Sequence, residues 1–593
     1  MCSIHLIWGK GASREAIQKL VDMSHHRGPD QSAVYSPWNG LWIGVNRLNI
    51  LHRGPEADQP FWDQDGKRLL IFNGEIYNFR ELRNLLSKMG VDFTTQSDTE
   101  VLLQYLRYFG AEGLQKLNGA FALIYIDLIG KSALVAVDRN GEKPLYYAQN
   151  PETLVISSEV RGIASLQEFK LDWQQAEHYF YFRTPLPGKT LHRGTSAWRP
   201  GRYSTIFRHD TFRWDVITRP QTPDTVPTQA TFQEILEKAV ARQFHADVPV
   251  GMLLSGGADS SLLYALWYLN TGIILPAYTI QTEKRFRAKY RDADAASRFA
   301  KQIPVDHRLV EIDQKVFLEN WDEYLQSVDL PVGDSAGFLT WMIGKTAKPD
   351  VKVLISGAGA DELWGGYQRH AAFSRYWQHR EFWSKWAGLL ERLPFGLRWK
   401  KYLSAIVDDP NHTFLNFSAL QNPPADMATD YGRIFDNSLP EYKRMLDFDR
   451  QVYLVQDVLK IHDNALMAHG IEGRAPYLDA SMLGLWEKVS DPALLSGKPW
   501  IKNILRENHL GWIADRRKFG FGLPLQEWLR EDGKFSNRVF SSLKAFDKSH
   551  GVHLSLSVRQ LLQNPEQGAK VQFLTVYNLF LLAEWVKLHR LWE

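Results

Sequence analysis

The stretch PVGMLLSGGADSSLLYALWY, residues 249–268, leaves the chain around it little freedom. An apolar run ending at Leu254 passes into Ser255-Gly256-Gly257-Ala258-Asp259-Ser260-Ser261, and an apolar helical pattern over 261–268 follows at once. A strand with no polar alternation is buried on both faces, so it needs parallel neighbours and covering helices. Matching segments follow: strand-like residues 275–280, a helix near 294–302 and a strand at 351–355. This alternation predicts a parallel α/β sheet with helices on both faces.

At 593 residues the chain exceeds what one core supports. Its first 205 residues have a different texture, with short strands broken by Gly, Asn and Asp. Examples are 69–72 before Asn73-Gly74 and 121–126 after Asn118-Gly119. One helix is predicted over 99–108, after the capping candidates Ser97 and Asp98. Residues 211–230, rich in Pro and Thr and poor in apolar side chains, read as a linker. The expected division is 1–210, linker 211–230 and 231–593, with mostly helix and an aromatic-rich insert beyond about 370.

A net charge of +3 makes a polyanion partner unexpected, and no apolar run of 18 residues occurs. Neither a nucleic-acid nor a membrane partner is therefore expected. A lone cysteine excludes an internal disulfide framework and suits a reducing, cytoplasmic setting. The pair His25-His26 has the wrong spacing for one metal ion, and the basic run 283–291 reads as a solvated loop.

The lone cysteine is Cys2. Removal of Met1 would place its thiol beside a free α-amino group, which can take the thiol proton. On position alone, a small buried residue near the start is an equal reading. The second candidate is the turn 255–261, where small residues let backbone N–H groups and a helix N-terminus face an anion. It is not a P-loop, since GxxxxGK[ST] is missing. A third stretch, SGAGADELWGGY at 356–367, follows the apolar strand 351–355 in the same way.

In order and spacing MCSI, HRGPD (26–30), NRLNI (46–50), FNGEIYN (72–78) and SDTE (97–100) resemble the glutaminase domain of class II glutamine amidotransferases. SGGADSS resembles the pyrophosphate loop of ATP pyrophosphatases. Together the motifs resemble the glutamine-hydrolysing asparagine synthetases over nearly the whole chain. The resemblance implies an α+β Ntn-type sandwich of antiparallel sheets, followed by an α/β parallel-sheet ATP pyrophosphatase domain with a helical C-terminal part.

It implies Cys2 as nucleophile, with Asn73 and Gly74 as the oxyanion hole. Arg47 would grip the glutamine carboxylate, and Asn73, Glu75 and Asp98 the rest of the amino acid. ATP would contact Leu254, Ser255, Gly256, Gly257, Asp259, Ser260, Ser261, Ile280, Ser356 and Gly357. Asp259 and Asp361 would hold Mg²⁺, and Lys502 would stabilise phosphate charge. The segments 467–479 and 516–528 would support the site. The implied substrates are glutamine, ATP and a carboxylate acceptor, aspartate first, with an internal ammonia tunnel and dimerisation through the N-terminal domain. Ala358 departs from the family's SGEGADE, in which a glutamate stands. Either a neighbour such as Glu362 takes over, or a different carboxylate is amidated.

Overall fold

The computed structural model describes residues 2–167, 170–209, 213–218, 226–516 and 522–589. The N-terminal part is a sandwich of two six-stranded antiparallel sheets. One is ordered Ser196–Ala197, Tyr146–Gln149, Thr153–Ser157, Cys2–Gly9, Leu41–Arg47, Gln31–Trp38. The other runs Asp215–Val216, Arg202–Ile206, Ser132–Val137, Gly119–Asp127, Arg68–Ile76, Phe61–Trp62. Strand alternation decides what faces what. Ile4, Leu6, Leu69 and Ile71 meet between the sheets, while Leu70 and Phe72 point outward against the helices Phe79–Lys88 and Asp98–Phe109. Ile7 packs on the opposite outer face against Ile17 and Leu20 of the helix Arg14–Met23.

The helix expected over 99–108 spans Asp98–Phe109. Of its two capping candidates, Ser97 caps, accepting from Thr99 N at 3.0 Å. Asp98 turns inward instead and accepts from Ile76 N at 3.0 Å.

The second part is built on a five-stranded parallel sheet ordered Asp306–Ile312, Pro276–Thr282, Val250–Leu253, Val353–Ile355, Glu472–Arg474. The strand expected near 250–254 is its centre, and the following helix spans Ala258–Thr271. The edge strand Glu472–Arg474 was not anticipated, because EGR carries no strand propensity of its own. It is fully buried, and pairing with Val353–Ile355 fixes it. Residues 229–230, expected in the linker, already belong to the helix Gln229–Gln243. Residues 215–216 form an edge strand of the second antiparallel sheet, and the linker residues 211–212 and 219–225 lie outside the described residues.

The two parts are locked together by buried polar contacts. Arg27 pairs with Asp463 at 2.8 Å, Asn118 donates to both oxygens of Asp479 at 3.1 Å, and Lys143 donates to Gly473 O at 3.1 Å. Tyr179 and Phe180, on the helix Trp173–Phe182, sit in the core of the parallel-sheet half.

Candidate active sites

The first site lies where Cys2 stands opposite Arg47 in the antiparallel register. Cys2 N donates to Asn73 Oδ1 at 3.0 Å. That contact uses the oxygen of the side-chain amide. Its nitrogen, Nδ2, is buried with no hydrogen-bond partner among the described residues. A buried, unpaired donor costs free energy unless a ligand supplies the acceptor. Gly74 follows at φ +142°, and a Cβ there would stand 2.0 Å from Ala120 O. Only glycine fits this close approach.

Arg47 is held by Asp58 at 2.7 Å and by the carbonyl of His52 at 2.7 Å, which fixes its guanidinium on a loop. Burial pushes the Cys2 thiol up, and the Arg47 charge opposes this. Gln59, missed in the sequence, fastens the floor of the site. Its Nε2 lies 3.8 Å from Cys2 Sγ, and its amide accepts from Phe72 N at 2.6 Å and donates to Phe72 O at 3.1 Å.

Glu75 and Asp98 come together beside Arg474, which belongs to the segment 467–479 expected to support the nucleotide site. The edge strand of the parallel sheet brings Arg474, whose guanidinium is 2.5 Å from Glu472 and 3.5 Å from Glu75. Three buried carboxylates thus face one guanidinium. Burial disfavours charge on Glu472, but Arg474 more than offsets this and holds it down at about 2. Glu75 is pushed well up by burial and by the charge of Asp98, and Asp98 itself is pushed up to about 6, chiefly by burial. A cation brought beside them would favour their ionised forms.

The second site sits beyond the carboxyl ends of adjacent parallel strands, where ligands of open α/β sheets bind. Gly256 has φ +69°, and a Cβ there would meet Asp292 O at 2.6 Å and Ala296 N at 2.7 Å. Ser260 Oγ accepts from Ser255 N at 3.2 Å, and Ser255 Oγ accepts from Gly257 N at 3.3 Å. These bonds curl the loop, and Asp259 enters the first turn of the following helix. Ser261 is fully buried behind it. Leu254 is tied to the next strand by Tyr278 O at 2.9 Å, and Ile280 lies buried on that strand. On the other loop a Cβ at Gly357 would lie 3.0 Å from Asp259 Cβ, so the two turns are in contact. Ser356 Oγ accepts from Ala358 N at 3.3 Å.

Asp259 and Asp361 converge on Lys498, whose Nζ lies 2.6 Å from the first and 2.5 Å from the second. Burial disfavours this ammonium's charge, but the two carboxylates outweigh it and hold its pKa well above the ordinary lysine range. Lys502, the lysine singled out in the sequence, lies one turn further along the helix Pro499–Glu507 and is half-buried. Its pKa is lowered by partial burial and by the charge of Lys498. Lys498, not Lys502, reaches the aspartates, from a backbone at φ +61°. Asp259 Oδ1 is buried with no hydrogen-bond partner among the described residues. Two convergent carboxylates with a spare oxygen fit Mg²⁺, which takes one or two carboxylates plus water and phosphate. Of the segment 516–528, residues 517–521 lie outside the described residues. Arg516 donates to Gly256 O at 3.0 Å and pairs with Asp292 at 2.5 Å, bracing the loop.

Four residues on from Ala358, Glu362, the neighbour named above as its stand-in, joins a cluster whose other members sequence reasoning missed. Burial and the Asp361 charge push Glu362 up to about 7, and Tyr367 donates to it at 2.5 Å. Tyr453 stands between two guanidinium groups, Arg369 at 4.3 Å and Arg183 at 5.2 Å from its ring centre. Arg183, contributed by the N-terminal part, lies 3.6 Å from Asp457, which burial pushes up to about 7. Tyr453 and Asp457 belong to a π-helical stretch, Arg450–Val458, a rare form that occurs frequently at functional sites.

That stretch continues into the helix Leu459–Met467, which ends near the first site through the Asp463–Arg27 pair. From Asp457 to Asp463 the rise is roughly 9 Å. Between them Lys460 Nζ and His462 Nε2 are buried without hydrogen-bond partners among the described residues.

His26 turns to Glu159 at 3.1 Å. In the basic run, Arg285, Arg287 and Lys289 pair with Glu531, Glu311 and Glu527.

Comparison with known proteins agrees with this geometry. A family model for asparagine synthase matches residues 231–587, and one for a glutamine amidotransferase domain matches residues 1–215. The chain is 27% identical over 559 residues to asparagine synthetase [glutamine-hydrolyzing] 1 of Bacillus subtilis, covering 87% of this chain and 85% of that one. It is 25% identical over 525 residues to asparagine synthetase [glutamine-hydrolyzing] 3 of the same organism, covering 85% and 82%. Amidase chry2 of Gibberella zeae is 24% identical over 603 residues, covering 88% of each.

Proposed function

Given that this chain belongs to the asparagine synthase family of glutamine-dependent carbon–nitrogen ligases, we propose that it makes an amide from glutamine nitrogen and an adenylated carboxylate. The observation that carries this reading is the pairing of two sites in one molecule. One is a buried thiol beside an unpaired amide donor; the other is a pair of carboxylates converging on one cation beside a curled Gly/Ser loop.

At the first site the α-amino group exposed by loss of Met1 takes the Cys2 proton, and sulfur attacks the glutamine side-chain carbonyl. Asn73 Nδ2 faces the oxyanion, ammonia leaves, and water cleaves the thioester to glutamate. Arg47 binds the glutamine carboxylate, and Glu75 and Asp98 bind its ammonium.

At the second site an acceptor carboxylate oxygen attacks the α-phosphorus of ATP, and the bond to pyrophosphate breaks. The residues 254–257, 259–261, 280, 356 and 357 cradle the nucleotide, and Lys498, with Lys502 behind it, offsets phosphate charge. Asp259 and Asp361 would hold Mg²⁺, which supplies further neutralisation of the triphosphate when bound. Ammonia passing along the helix Leu459–Met467 then attacks the acyl carbon, AMP departs, and a proton is lost.

Aspartate is the proposed acceptor. Two guanidinium groups, Arg183 and Arg369, beside Asp334 and Asp457 offer opposite charges to an α-amino acid. A second reading, another carboxylate, is favoured by Ala358, which offers no charge where the family has glutamate, and by the relative that carries an amidase name. A screen of acceptors that reads pyrophosphate release separates the two. Release with aspartate supports the first reading. Silence with aspartate while glutaminase turnover persists overturns it.

A further inference from the structure

The aromatic-rich insert takes no part in either site. It forms two helices, Arg380–Leu390 and Leu397–Ser404. Its inner side is anchored: Ala387 and Leu403 are buried, and Trp383 and Phe417 pack on the Tyr402 ring at 5.5 and 5.4 Å. Its outer side is not. Phe382, Trp386 and Leu389 recur at spacings of four and three, one face of the first helix, and Leu393 follows in the turn beyond it. With Phe395 and Trp399 they are between 41 and 56% exposed. Scattered exposed leucines need no explanation, but a contiguous aromatic stripe does.

Charge tells what would cover it. Residues 380–401 carry six basic side chains and two acidic ones, while the whole chain nets only +3, so the positive surplus sits here. Among the described residues none of Arg380, Lys385, Arg392, Arg398, Lys400 and Lys401 pairs with a carboxylate. The basic run at 283–291 shows the contrast, since its cations are met by glutamates. A second copy of this face would bring the same positive charge against itself. Aromatic and leucine side chains flanked by Lys and Arg suit the interface of an anionic bilayer, where the rings sit at headgroup depth.

We propose that the outer face of residues 380–401 is a docking surface for an anionic lipid membrane, bound peripherally. The expectation of no membrane partner rested on the lack of a spanning segment, and no described helix is long and apolar enough to cross a membrane. Lying on a bilayer makes no such demand.

The test is co-sedimentation of the full chain with vesicles of phosphatidylcholine alone or with about one-third phosphatidylglycerol. Each basic residue near such a surface is worth roughly a fivefold change in partition. Binding should be more than tenfold stronger to the anionic vesicles and fall with salt. It should drop to background in Phe382→Ser/Trp386→Ser/Leu389→Ser and in Arg392→Glu/Arg398→Glu/Lys400→Glu, with glutaminase turnover unchanged as proof of folding. Equal binding to neutral vesicles, wild-type binding by both variants, or a dimer in sedimentation velocity that the Ser variant abolishes without any vesicle binding, would each overturn the proposal.

Discussion

Replacing Lys498 with methionine keeps the length of the side chain and removes its charge. In the folded protein the ammonium lies 2.6 Å from Asp259 and 2.5 Å from Asp361, so the two facing oxygens are at most about 5 Å apart. Without it they repel by about 3 kcal/mol at an effective dielectric of about 20. This agrees with the 3–5 kcal/mol, roughly, that breaking a buried ion pair costs. Lys498→Met should therefore melt lower than wild type at pH 7.5. Mg²⁺ alone should raise the variant's melting temperature more than wild type's, since the ion would enter a site the ammonium no longer fills. Acceptor-dependent pyrophosphate release should fall by about 10²–10³, the usual effect of removing one group that stabilises transition-state charge. Unchanged melting together with pyrophosphate release within threefold of wild type would refute the assignment of Lys498 to the phosphate site.

Four further outcomes follow from the same geometry. Cys2→Ala should abolish glutamine-dependent amide synthesis yet leave synthesis from ammonium salts, and Asn73→Ala should cut glutaminase kcat by about 10²–10³ with the thiol intact; both are read by glutamate release and amide formation. Gly256→Ala places a Cβ 2.6 Å from Asp292 O at φ +69°, so ATP–pyrophosphate exchange should collapse while glutaminase turnover persists. Asp457 has its folded-state pKa raised to about 7 by burial, above its unfolded value near 4. The folded state keeps that proton between pH 4 and 7 while the unfolded state loses it, so stability declines as pH rises through this window, by at most ~4 kcal/mol. Asp457→Asn should flatten that part of a stability–pH profile measured by denaturant titration, and an unaltered slope would contradict it.

The parts of the account legible in the sequence are those in which chemistry and backbone coincide locally. Asn73 and Gly74 sit side by side on one strand, and the loop 255–261 joins consecutive elements, so residue order carries the geometry. The segment 467–479 reads as support for the nucleotide loop, but the placement of Glu472 and Arg474 beside Glu75 escaped, because a three-residue edge strand with no propensity of its own delivers them to a residue about four hundred positions earlier. Arg183, at the end of the helix Trp173–Phe182, and Tyr453, in the π-helical stretch, escaped because only the tertiary fold brings such distant positions together. Choosing between Lys498 and Lys502 was beyond pattern reading. Four apart at a helix start, they share a face, and only the left-handed backbone at Lys498 turns its side chain onto the aspartates. Ser97 and Asp98 show the local counterpart: both can cap, and the buried acceptor for Ile76 N decides which one does.

The central claim is that carboxylate activation by ATP and nitrogen release from glutamine meet in one acyl-adenylate. It is tested most directly by double labelling, with ¹⁸O in the acceptor carboxylate and ¹⁵N in the glutamine side-chain amide. One ¹⁸O atom is expected in the phosphate of AMP, none in pyrophosphate, and ¹⁵N in the product amide. Recovery of ¹⁸O in inorganic phosphate or pyrophosphate, or amide formed without transfer of ¹⁸O to AMP, would contradict it.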